Sequence, residues 1–111
     1  MRDSEQPNVR QARPRKPLGS TQLRELAMNY VARFATSSGR LEAYLARKLR
    51  ERGWEEGEPG PDIPALVADF ASRGYVDDEA YARTRSEGLL ARGYGARRVG
   101  EALRQAGIDE N

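Results

Sequence analysis

A chain of 111 residues with no cysteine, no histidine and a formal charge of +2 has room for one small domain and lacks the residues most enzymes rely on. Without Cys there is no disulfide, zinc finger, iron–sulfur cluster or thiol nucleophile, and without His the commonest general base and metal ligand are gone, so a non-enzymatic protein without cofactor or metal is expected. No run of about 18 apolar residues occurs and no apolar stretch follows Arg2, which predicts neither a membrane span nor a secretory signal and makes a cytoplasmic location the default.

Residues 1–20 hold three prolines, five basic and two acidic residues and almost no large apolar side chain. Such a segment cannot bury enough surface to offset its ordering entropy, so it reads as a disordered basic arm.

From residue 21 the pattern is helical. Leu23, Leu26, Tyr30, Val31 and Phe34 form one stripe on a helix of about 21–36, with Ser20 or Thr21 as N-cap. Thr36-Ser37-Ser38-Gly39 interrupts it and can cap a second helix, about 39–52, whose stripe is Leu41, Leu45 and Leu49. Gly53 is its natural stop, followed by Trp54 as hydrophobic partner. A linker, residues 55–61, leads to a third helix over about 62–73, capped by Asp62, with Pro64 in the first turn and Ile63, Leu66, Val67 and Phe70 on one face. Asp77, Asp78 and Glu79 open a fourth helix, about 78–92, with a poor stripe, and their consecutive directions favour capping over metal binding. A turn at Gly93-Tyr94-Gly95 precedes a fifth helix, about 96–106, ended by Gly107 and Ile108.

The second and fifth helices end alike. At an offset of 54 residues, Leu45 matches Val99, Leu49 matches Leu103, Arg50 matches Arg104, Gly53 matches Gly107 and Trp54 matches Ile108. The expected architecture is therefore all-α, built of tandem three-helix repeats in a right-angled or solenoid-like helical array of about five helices. Residues 21–76 form the first repeat, and residues 77–111 hold two helices of an incomplete second. The fifth helix is expected to keep apolar surface partly uncovered.

Charge segregates along this array. Residues 36–54 carry a net +3, residues 55–79 a net −7 and residues 80–108 a net +4. A bipolar surface suits a partner that displays both signs, such as a protein filament on DNA, while a solvated surface with internal ion pairs is the plainer reading. Seventeen of the 19 basic residues are Arg, which fits phosphate recognition and equally the codon usage of a GC-rich genome. There is no phosphate-cradling glycine loop. The aromatics Tyr30, Phe34, Phe70 and Tyr81 lie at core spacing, and Trp54, Tyr75 and Tyr94 sit at helix ends as rim packing.

Three segments carry a family resemblance. Arg47-Lys48-Leu49-Arg50-Glu51-Arg52-Gly53-Trp54 resembles the R-x-K-L-x-x-[KR]-G-[FYW] helix ending of RecX-type proteins. Residues 74–82, GYVDDEAYA, resemble that family's G-[YW]-[LIV]-[DN]-D-x-x-[FY]-A signature, and residues 92–99, RGYGARRV, its [KR]-G-x-G-x-[RK]-[KR]-[LIV] element. The resemblance implies tandem three-helix repeats and a non-enzymatic regulator of the RecA recombinase, acting as a monomer on the RecA–DNA filament and touching DNA through it. By position, Arg47, Lys48, Arg50, Arg97, Arg98 and Arg104 are the candidate filament or DNA contacts. RecX proteins usually carry three repeats, so this sequence reads as a shortened member. Two other readings are a stand-alone electrostatic DNA-binding protein and an inactive fragment.

Overall fold

The computed structural model describes residues 16–108. These hold five helices: α1 (Ser20–Arg33), α2 (Ser38–Arg52), α3 (Ile63–Ser72), α4 (Asp78–Ala91) and α5 (Ala96–Gln105). The array is all-α, with one isolated parallel bridge, Leu18 to Trp54, among the described residues. In the first unit α2 packs against both α1 and α3, and in the second α4 packs against α5 as α1 does against α2.

The main core lies between α1, α2 and α3. Leu23 and Ala27 of α1, Leu41 and Leu45 of α2, and Val67 and Phe70 of α3 are buried together with Leu18 and Val76. Phe70 is fully buried, a gain of about 1.5–3 kcal/mol over leaving it in water. The second unit buries less: Leu89, Ala102 and Ala106 are buried, Val99 and Leu103 are half-buried, and Leu90 is 55% exposed.

Caps explain where the helices begin. Ser37 accepts the Arg40 N–H, Asp62 that of Ala65 and Asp77 that of Ala80. The N-cap of α1 is Gly19, one residue ahead of the predicted Ser20, because the Gln22 side chain reaches back to the Gly19 N–H at 2.9 Å. Gly53 and Gly107, related by the 54-residue offset, both take a positive φ (80° and 79°). The turns differ: Gly53 is itself the C-cap of α2, with ψ 173° and its N–H on the Leu49 carbonyl, whereas Ala106 caps α5 and the Ile108 N–H reaches back to the Leu103 carbonyl.

Two expectations are corrected. The reading of residues 1–20 as a disordered arm fails at its C-terminal end: Leu18 is fully buried. Its N–H donates to the Gly53 carbonyl and its own carbonyl accepts from the Glu55 N–H, both at 2.8 Å. One leucine, pinned by two backbone hydrogen bonds, ties this stretch to the core. The rest of the arm, residues 1–15, lies outside the described residues, as do residues 109–111 of the expected second repeat. Phe34, expected in the core, is 51% exposed. Helix α1 ends at Arg33, so Phe34 is in extended backbone (φ −130°) and leaves the buried stripe.

Candidate functional site

The joint between the two units places the site. Ser37 is fully buried, and its hydroxyl donates to the carbonyl of Ala106, just past α5, at 2.6 Å. The Ser38 N–H at the start of α2 donates to the Asp78 carboxylate of α4 at 2.7 Å. Of the consecutive acids, Asp77 thus caps its own helix and Asp78 caps α2 of the neighbouring unit. Gly39 lies so close to the end of α5 that a Cβ there would sit 2.6 Å from the Ala106 carbonyl oxygen and 3.0 Å from the Gly107 Cα.

Beside this joint runs a groove of about 710 Å³ between the C-terminal end of α1 and the outer face of α2, with Gln105 of α5 at its edge. Helical periodicity builds one wall: Arg40, Ala43, Tyr44, Arg47 and Arg50 follow at three- and four-residue steps on the face opposite Leu41, Leu45 and Leu49. Helix α1 contributes Tyr30, Arg33 and Phe34 to the other wall. Among the described residues, four arginines line the groove and no carboxylate does.

Aromatic rings join the walls. Tyr30 and Tyr44 stack with centroids 4.1 Å apart and planes at 18°, and Phe34 leans on Tyr30 at 5.1 Å. The Arg47 guanidinium lies 5.5 Å from the centre of the Tyr44 ring, and that of Arg33 lies 5.7 Å from Phe34. Such cation–π contacts pre-orient the side chains, and the Arg47 Nε also lies 3.9 Å from the Glu51 carboxylate.

The structure separates the six predicted contact residues. Arg47 and Arg50 line the groove; Lys48 does not, and packs near Tyr44 with its ammonium 3.6 Å from Glu51. Arg97 and Arg98 stand in the first turn of α5, where Arg98 and Arg92 both approach the Tyr94 ring, at 5.5 and 5.6 Å. Arg104 is exposed, one residue before Gln105. Arg33 and Arg40 were not singled out from sequence. Their signal is the i, i+7 spacing of Arg40 and Arg47 with Tyr44 between them, and Arg33 beside an aromatic that the apolar stripe had claimed for the core.

The acidic block has a different use from the one its charge suggested. Glu58 accepts from the Ser20 N–H at the start of α1, Asp62, Asp77 and Asp78 cap helices, and Asp69 is held by two arginines. Arg24 of α1 donates to Asp69 at 2.8 Å and Arg73 donates to both its oxygens at 3.0 Å. These hydrogen bonds, from Arg24 first and then Arg73, hold the Asp69 carboxyl below its ordinary pKa. Among the described residues no cluster of acidic side chains could hold a metal ion, and no helix is long and apolar enough to cross a membrane.

A family model described as "RecX, second three-helix domain" matches residues 77–111. The regulatory protein RecX of Myxococcus xanthus (strain DK1622) is 34% identical over 100 residues, which cover 86% of this chain and 53% of that protein. The chain belongs to the RecX family. The RecX regulatory protein of Mycobacterium sp. (strain KMS) is 36% identical over 88 residues, 78% of this chain and 45% of that one. This RecX-family chain spans about half the length of the curated relatives it matches. No solved structure matches it. The matched RecX domain contains α4 and α5, whereas the groove belongs to α1 and α2 of the unit before it.

Proposed function

We propose that this chain is a non-enzymatic regulator of the RecA recombinase, seated on the RecA–DNA filament as a monomer in the cytoplasm. Restraining that filament would bear on recombination, repair and the SOS response. The observation that carries the reading is the arginine-lined groove beside the joint between α2 and the matched domain, a surface on which the described residues place no carboxylate, in a chain of near-neutral charge. The relatives' name, regulatory protein RecX, supports a regulatory role. Arg47, Lys48, Arg50, Arg97, Arg98 and Arg104 are the proposed contacts, with DNA reached through the filament.

The test is RecA ATP hydrolysis on single-stranded DNA with increasing amounts of this protein. Hydrolysis is expected to fall as the protein is added. Unchanged hydrolysis at large molar excess overturns the reading.

A further inference from the structure

We propose that the cleft between the C-terminal end of α1 and helix α4 binds a small apolar carboxylate of the fatty-acid class, its chain against Phe34, Tyr75 and Tyr81 and its carboxylate on Arg85 and Arg92. Among the described residues, this cleft shares Phe34 alone with the arginine-lined groove.

The cleft has the size and the apolar walls of a small-molecule site. Its volume is about 480 Å³, within the usual range of about 300–1,000 Å³. Both units contribute rings. Phe34, just past α1, is 51% exposed and Tyr75, after α3, is 43% exposed, while Tyr81 of α4 is half-buried. An apolar chain lying on these rings removes surface from water on both sides of the joint.

One face of α4 and its C-cap supplies the charge. Tyr81, Arg85, Gly88 and Arg92 follow at four-, three- and four-residue steps and line the cleft in that order. Gly88 has nothing within 4 Å of an added Cβ. Glycine weakens a helix interior, and at this position it leaves a gap between two guanidiniums. Arg85 is half-buried, and among the described residues neither it nor Arg92 has a carboxylate within ion-pair distance. Asp77, the one carboxylate among the described lining residues, is two helical turns before Arg85 and accepts the Ala80 N–H at 3.0 Å. A half-buried cation without a counter-ion favours an anion brought by a ligand.

Other small ligands use half of this surface. A simple anion meets the arginines and leaves the rings in water. An uncharged hydrocarbon covers the rings and leaves Arg85 unpaired. An alkyl amine meets like charge. An apolar carboxylate satisfies both halves.

The experiment is isothermal titration calorimetry of the full chain with octanoate below its micellar concentration, with thermal unfolding followed by circular dichroism and no RecA present. Octanoate is expected to bind one-to-one and, at saturation, to raise the melting temperature by about 4 °C or more. Octanol lacks the charge, acetate lacks the chain and octyltrimethylammonium reverses the charge, so each should bind about tenfold or more weakly. Arg85→Gln should weaken octanoate by about tenfold. Gly88→Leu, which fills the gap, should abolish binding with helix content retained. Arg97→Gln on α5, outside the cleft, should leave binding intact.

Absence of both heat and thermal shift with octanoate, equal binding of octanol, or binding that survives Arg85→Gln undiminished would each overturn the proposal. Equal affinity for acetyl-leucyl-glutamate would make the occupant a peptide and overturn it as well. Arg85→Gln keeps the test decisive where Gly88→Leu does not fold. Because RecA is absent, these outcomes are independent of the regulatory reading.

Discussion

Ser37 and Ala106, 69 positions apart in sequence, are joined by a 2.6 Å hydrogen bond from a fully buried hydroxyl to a backbone carbonyl. The same Ser37 oxygen accepts the Arg40 N–H at 3.2 Å and so caps α2. One side chain therefore starts a helix of the first unit and holds the end of the second.

Ser37→Ala removes both functions. The lost cap and the stranded Ala106 carbonyl together predict a destabilisation of about 2–3 kcal/mol. Urea unfolding should show a lower midpoint with an unchanged slope. A loss no larger than that of a surface substitution would mean that water replaces the hydroxyl.

Gly39 and Gly88 should respond to alanine with opposite signs. Both are helical, where Ala normally gains about 1 kcal/mol over Gly. Gly88 has nothing within 4 Å of a new Cβ, so Gly88→Ala should stabilise by roughly that amount. At Gly39 the Cβ meets backbone at 2.6 Å, so Gly39→Ala should cost about 1–3 kcal/mol. Thermal unfolding of the two variants decides it.

The Asp69 cluster predicts a pH signature. Its folded pKa lies below the ordinary value of 3.8, so its contribution is complete above that value and is lost as pH falls through the lowered one. Asp69→Asn should unfold earlier than wild type at neutral pH, and the gap should close in acid. Parallel curves down to the lowest accessible pH would count against it. Because Asp69 and Arg24 are about a third or more exposed, salt should narrow the gap as well.

Leu18→Ala tests the N-terminal tie. A fully buried leucine truncated to alanine costs about 2–5 kcal/mol. Deletion of residues 1–15, which spares Leu18, should cost much less in the same denaturant titration.

Charge reversal can rank the two basic surfaces. Arg47→Glu with Arg50→Glu, and separately Arg97→Glu with Arg98→Glu, should each weaken the effect on RecA ATP hydrolysis by about tenfold or more, as loss of charged interface contacts does. If only one pair matters, that surface alone faces the filament.

Helix positions were legible because local signals agreed. Asp62 and Pro64 opened α3 where the apolar stripe began, and Gly53 and Gly107 stopped two helices at positive φ. Leu18 was missed because it is a single apolar residue in a polar stretch, and its partners Gly53 and Glu55 are more than thirty residues away. Phe34 was misplaced because periodicity continues past Arg33 although the helix does not. Half of the site was legible from charge, in Arg47 and Arg50. Arg40 shares their helix face at i, i+7 from Arg47, whereas Arg33 joins them only once α1 and α2 pack, a relationship no local pattern encodes.

The crossing at Gly39 and Gly107 is backbone against backbone, with no rotamer to absorb a displacement. It sets the end of α5 directly against the first turn of α2, one residue from Arg40. A substitution that forces these two backbones apart is therefore expected to disturb the groove wall as well as the joint.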